Sequence, residues 1–84
     1  EYTVRFETNN YKLVPQKNNY LLFEVEHQEG GKRYLFRSDC NYNLGDIVIC
    51  QTSLGKSYGK IVYKVIKELA EEEFKAYKPI IKSV

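Results

Sequence analysis

Methionine and tryptophan are absent from this 84-residue chain. Without a Met, Glu1 is expected to mark a processing or fragment boundary, not a translation start. No apolar run approaches the ~18 residues that a membrane-spanning helix needs, and none has the form of a signal-peptide core. Cys40 and Cys50 are the only cysteines, too few for a disulfide scaffold. Both are expected as free thiols in a reducing cytosol, which gives a cytoplasmic location as the expectation. His27 is the single histidine. It lies 13 residues before Cys40, and Cys40 lies ten before Cys50, so with Asp39 these groups lack the close pairing of a zinc site. Nothing in the pattern orients His27 as a base for a nucleophilic thiol. The expectation is therefore a protein without metal, cofactor or catalytic residues, and not an enzyme.

What the chain does contain is aromatic and basic. Eight Tyr and four Phe supply much of the apolar bulk in a sequence that is 43% hydrophobic and 29% charged, the balance of a globular domain. Lys, Tyr, Asn, Ile and Phe together make 34 of the 84 residues. Their codons are AT-rich, which suggests a low-GC bacterium or its phage. The net charge of +2 is unevenly spread. Residues 1–31 carry three basic and five acidic side chains, residues 32–67 seven and two, and residues 68–84 three and four. An anionic partner should meet the middle of the chain.

Hydrophobic alternation marks a series of short strands. Tyr2 to Phe6 alternates apolar and polar. Asn9-Asn10, Pro15 and Asn18-Asn19 then predict an irregular loop over 9–19, anchored by Leu13 and Val14. From Tyr20 to His27, Leu21, Phe23 and Val25 share one face and Leu22, Glu24 and Glu26 the other. Glu29-Gly30-Gly31-Lys32 is a turn, and Arg33 to Arg37 runs back as the second arm of a hairpin. A connection over 41–46 leads to Ile47–Thr52, apolar on both faces and so expected to be central. Thr52 to Gly55 turns the chain, and Tyr58 to Ile66 follows. There Ile61, Tyr63 and Val65 are predicted on one face and Lys56, Tyr58, Lys60, Val62, Lys64 and Ile66 on the other.

The period then changes. From Leu69 the residues follow helical spacing, with Ala70, Phe74 and Tyr77 at i, i+4 and i+7. Glu71–Glu73 sit in the first turn and Lys75 and Lys78 near the end, in the sense that suits the helix dipole. Pro79 stops the helix, and 79–84 is extended. The expected fold is mainly β: one domain over 1–84, a small SH3-like or related bent barrel. It would have five to six short antiparallel strands and one short C-terminal helix.

Gly45, Asp46, Val48, Thr52, Gly55, Gly59 and Val62, followed by Glu71–Glu73 and the segment Lys78 to Lys82, form a recognisable order. With Tyr34-Leu35-Phe36 as an aromatic strand ahead of them, residues 34–84 resemble the C-terminal domain of the polymerase-suppressor (PSP) family. Cys50-Gln51 stands where that family usually carries an acidic residue before the Thr. The resemblance implies a non-catalytic component of a complex, in some members linked to bacterial RNA maturation. It hands over no site residue.

The candidate contacts come from side-chain chemistry. Lys56, Tyr58, Lys60 and Lys64 interleave cations with an aromatic, which suits phosphates and bases. The competing explanation is a solvated edge strand whose lysines block aggregation. Arg33 and Arg37 extend the patch if they face the same way. Tyr2, Tyr11, Tyr20, Tyr42, Tyr58 and Tyr77 are too many for so small a core, and Tyr favours interfaces. Among them Tyr42, flanked by Asn41 and Asn43, is the best loop-borne contact; the alternative is a ring lying over the barrel mouth. Glu71, Glu72 and Glu73 point about 100° apart on a helix and do not converge on an ion. Gly55 and Gly59 open no helix and form no phosphate loop.

These readings predict a non-catalytic interaction module that binds a protein or ribonucleoprotein partner, with no membrane partner and with edge-strand dimerisation left open. One alternative is a nucleic-acid-binding barrel that uses the basic and aromatic face of 58–66. Another is a phage-encoded inhibitor of a host nuclease or defence complex.

Overall fold

The computed structural model describes the backbone of residues 2–7 and 10–84, and side chains from residue 16 onward. The elements in order are β1 (Tyr2–Glu7), β2 (Asn10–Pro15), β3 (Lys17–Glu26), β4 (Arg33–Phe36), β5 (Ile47–Thr52), β6 (Gly55–Ala70), α1 (Glu71–Ala76) and β7 (Ile80–Ser83). The fold is mainly β with one short C-terminal helix. β1 and β2 pair antiparallel as a separate two-stranded sheet. The expected loop over 9–19 is therefore corrected. Asn10–Pro15 is held extended by its pairing with β1 and Lys17–Asn19 by pairing with β6, while Asn9 lies outside the described residues.

The five remaining strands form one sheet in the order β4-β3-β6-β5-β7, all neighbours antiparallel. Its outer strands then meet. The Arg37 N–H donates to the Lys78 carbonyl at 3.0 Å, and the Ile80 N–H donates to the Arg37 carbonyl at 2.8 Å. This single parallel bridge, Arg37 with Pro79, joins the end of β4 to the start of β7. The bridge brings the two outer strands of the sheet together at this one point, which is how a small barrel begins to close its edges.

Three turns carry glycines where the backbone requires them. Gly30 (φ 73°) sits in the β3–β4 hairpin, where the Gly31 N–H donates to the Gln28 carbonyl. Gly45 (φ 91°) precedes β5, and Gly55 (φ 112°) opens β6. Such φ values are disfavoured for residues with a Cβ. At the β5–β6 turn the Thr52 hydroxyl donates to the Gly55 carbonyl at 2.6 Å and accepts from the Leu54 N–H at 3.2 Å.

The core is one cluster: Phe23, Val25, Phe36, Val48, Cys50, Ile61 and Ile80, with Leu21 and Tyr42 packed against it. It is drawn from all five barrel strands, so the closed sheet and the core define each other. Leu22, on the opposite face of β3 from Phe23, is also fully buried. Helix α1 packs against β3 and β6, where Tyr20 stacks on Phe74 with ring centroids 4.1 Å apart.

β6 departs from expectation in two ways. It is 16 residues long, so Leu69 and Ala70 are strand residues and the helix begins only at Glu71. Leu69 and Ala70 are buried in the ribbon that β6 forms with the first half of β3, and the Ala70–Lys17 pairing holds them extended. The second departure is a bulge. Glu24 pairs with Tyr63 but Val25 pairs with Ile61, which leaves Val62 unpaired. One extra residue reverses the alternation. Ile61 is buried while Tyr63 is 55% exposed, so the predicted common face of Ile61, Tyr63 and Val65 does not exist.

Candidate interaction surface

Along β5 and β6 the inward positions are settled by burial: Val48 and Cys50 on β5, Gly59 and Ile61 on β6. The alternate residues point out. Three cross-strand pairs then line one face: Ile47 with Lys60, Ile49 with Tyr58 and Gln51 with Lys56. β7 adds Lys82, paired with Ile49. Tyr58 is 64% exposed and Ile47 44% exposed. Lys56, Lys60 and Lys82 are exposed around them. Among the described residues, no side-chain carboxylate belongs to this three-stranded face. Its margin toward β3 is acidic, with a depression of about 300 Å³ lined in part by Glu26, Glu29, Tyr58 and Lys60. Glu26 is already engaged, since its carboxylate accepts from the Gly30 N–H at 3.2 Å and from Arg33 Nε at 3.3 Å.

The other candidates from the sequence lie elsewhere. Lys64 follows the bulge and pairs with Phe23, and its ammonium donates to Asn41 Oδ1 at 3.1 Å. It is therefore out of line with Lys56, Tyr58 and Lys60. Arg33 lies between Glu24 at 3.7 Å and Glu26 at 3.3 Å, with its guanidinium 5.5 Å from the Tyr63 ring centre. The Glu26 hydrogen bond raises its pKa. Arg37 Nε donates to the Tyr77 carbonyl at 2.7 Å, an anchor for the barrel closure. Tyr42 lies edge-on to Phe23 at 5.7 Å and lids the core; burial raises its phenol pKa. Tyr20 is stacked on Phe74 and Tyr77 is half-buried, while the Tyr2 and Tyr11 side chains lie outside the described residues. Lys60 is paired on both sides, to Ile47 and to Glu26, so it does not guard an open strand edge.

His27 was legible only as a lone histidine, yet it organises this end of the barrel. Its Nδ1 lies 2.8 Å from the Tyr58 carbonyl oxygen and 3.3 Å from Ser57 Oγ. A carbonyl only accepts, so Nδ1 carries the proton. Nε2 is buried and has no protein partner. The ring meets Phe36 edge-on at 5.5 Å. Gly59 lies beneath it: a Cβ there would collide with Val25 Cγ1 and come within 3.1 Å of His27 Nδ1. Beyond His27, a groove of about 560 Å³ runs between Tyr34, Phe36, Leu54, Ser57, Tyr77 and Lys78.

Both thiols are free, with Cys40 exposed and Cys50 buried. Burial pushes the Cys50 thiol up to about 11. Glu71, Glu72 and Glu73 occupy the first turn of α1. The Glu73 carboxylate accepts from the Ala70 N–H at 2.9 Å, one half of a capping box, because Ala70 has no side-chain acceptor to complete it. Among the described residues, no three His, Cys, Asp or Glu side chains form a metal-holding group. No helix of the described residues is long and apolar enough to cross a membrane. No family model, curated protein or solved structure matches the chain.

Proposed function

We propose that this barrel is a non-catalytic interaction module, and that its partner is a protein or a ribonucleoprotein. The observation that carries the reading is the outer face of β7-β5-β6. It exposes Tyr58 at its centre, with Lys56, Lys60 and Lys82 around the ring and Ile47 exposed beside Lys60. Exposed aromatic and aliphatic side chains inside a polar rim are the anatomy of a binding patch. The resemblance of 34–84 to the PSP C-terminal domain points the same way. So does the engagement of the other candidates in structural contacts, with Arg33 in ion pairs, Arg37 on a carbonyl and Tyr42 on the core.

The test is affinity capture from cells of the native host with the wild type and with Tyr58→Ala plus Lys60→Glu. Both positions are exposed, but Lys60→Glu sets like charges opposite across the β3–β6 ladder, so the fold of the double variant is checked by circular dichroism. The reading expects a specific partner with the wild type and its loss with the double variant. Equal recovery by both, from equally folded proteins, contradicts it.

A further inference from the structure

We infer that the component meeting the β7-β5-β6 face is a single-stranded nucleic acid; this rests on the reading of that face as the interaction surface. Among the described residues Tyr58 is the only aromatic on the face, and it stands midway between Lys56 and Lys60 on one strand. Residues four apart on a strand are separated by roughly 13 Å. The two ammonium groups thus bracket an exposed ring. Lys82 lies on the far side of Ile49, one strand across, and supplies a third cation.

Charge alone would suit any polyanion. Two features select an unpaired strand. The face is a sheet surface bearing a single ring, and an unpaired base can lie flat on an exposed Tyr whereas a base held in a duplex cannot. Ile47 and Ile49 add apolar surface beside the ring, which a duplex backbone would leave uncovered. An acidic peptide would fit the charge but leave Tyr58 without a planar partner.

The acidic margin sets the path. Glu29 flanks the depression next to Tyr58 and Lys60, while Glu26 beside it is held by Arg33, so a phosphate chain is favoured away from Glu29. It follows Lys60, Tyr58 and Lys56 toward the Thr52–Gly55 turn, with Lys82 alongside.

Fluorescence anisotropy of a labelled oligouridylate 12-mer tests this, with its RNA duplex and a labelled oligoglutamate peptide as the comparison probes. The single strand is expected to bind, and better than the duplex or the peptide. Three phosphate contacts give a salt slope of about −2, a loss of roughly 20-fold between 50 and 200 mM salt. Tyr58→Ala should weaken binding at least about five-fold, and Tyr58→Phe should retain it, because stacking survives loss of the hydroxyl. Lys56→Glu plus Lys60→Glu should abolish it. Equal binding of the duplex, indifference to Tyr58→Ala, or no binding of the single strand at 50 mM salt overturns the inference. Preferential binding of oligoglutamate through the same lysines also overturns it, while leaving the interaction-module reading intact. Loss of captured partner without any oligonucleotide binding separates the two in the same way.

Discussion

His27 Nδ1 lies 2.8 Å from the carbonyl oxygen of Tyr58, and this bond ties the end of β3 to the residue at the centre of the proposed face. The ring is able to lie there because position 59 has no side chain. An alanine Cβ would collide with Val25 and crowd the imidazole. Gly59→Ala is therefore expected to destabilise the barrel by about 1–3 kcal/mol, the usual range for overpacking a filled core. Urea unfolding measures it. The same arrangement predicts a proton on Nδ1, which long-range nitrogen–proton NMR correlations read directly. An Nε2–H tautomer would show that the bond to Tyr58 is misassigned.

The barrel closure makes a separate prediction. Arg37 donates its side chain to the Tyr77 carbonyl while its own backbone bridges Lys78 and Ile80. A hydrogen bond from a charged donor contributes about 1.5–3 kcal/mol when its acceptor is otherwise left unpaired. Arg37→Ala should lose stability of that order, and amide exchange should quicken first at Ile80 and Arg37. Unchanged exchange at this seam would mean that the closure does not depend on the Arg37 side chain.

The two thiols should behave differently. Cys40 is exposed and Cys50 fully buried. A disulfide-exchange reagent is expected to titrate one thiol quickly in the native protein and the second only on unfolding. Burial also ties Cys50 to alkaline stability. The folded thiol keeps its proton up to about pH 11, whereas its ordinary value is 9.0. Below pH 9 both states are protonated and the group adds no pH dependence. Between pH 9 and 11 only the unfolded state releases the proton, so stability falls across that window. Cys50→Ala should flatten the fall, seen as urea midpoints at pH 8.5 and 10.5, even though the variant is weaker at both.

How much of this was legible in the sequence depends on where packing, and not local pattern, decides. The hairpin through Gly30 follows from alternation, the strand Ile47–Thr52 from its apolar run, and the Thr52–Gly55 turn from residues that permit tight turns. The acidic first turn of α1 follows from charge. The bulge at Val62 had no local signal, because it is set by how β6 must bend to stay paired with β3 while following β5. Missing it placed Lys64 beside Lys60 and Tyr63 beside Ile61. Leu69 and Ala70 read as helix because their spacing to Phe74 and Tyr77 is helical, but pairing to Asn18 and Lys17 overrides propensity there. Lys82 escaped notice as part of the face, since only the β5–β7 register brings it beside Ile49. His27 gave no clue beyond being a lone histidine, because its seat is made by the Tyr58 carbonyl and by Gly59 on the neighbouring strand.

The account stands most directly on where a partner touches the barrel. Amide shifts of the isotope-labelled protein, followed as the captured partner is added, map that contact residue by residue. The account predicts shifts or broadening at Ile47, Ile49, Lys56, Tyr58, Lys60 and Lys82, with the helix Glu71–Ala76 unmoved. A footprint confined to the groove of Tyr34, Leu54 and Tyr77, with the three-stranded face silent, would contradict it.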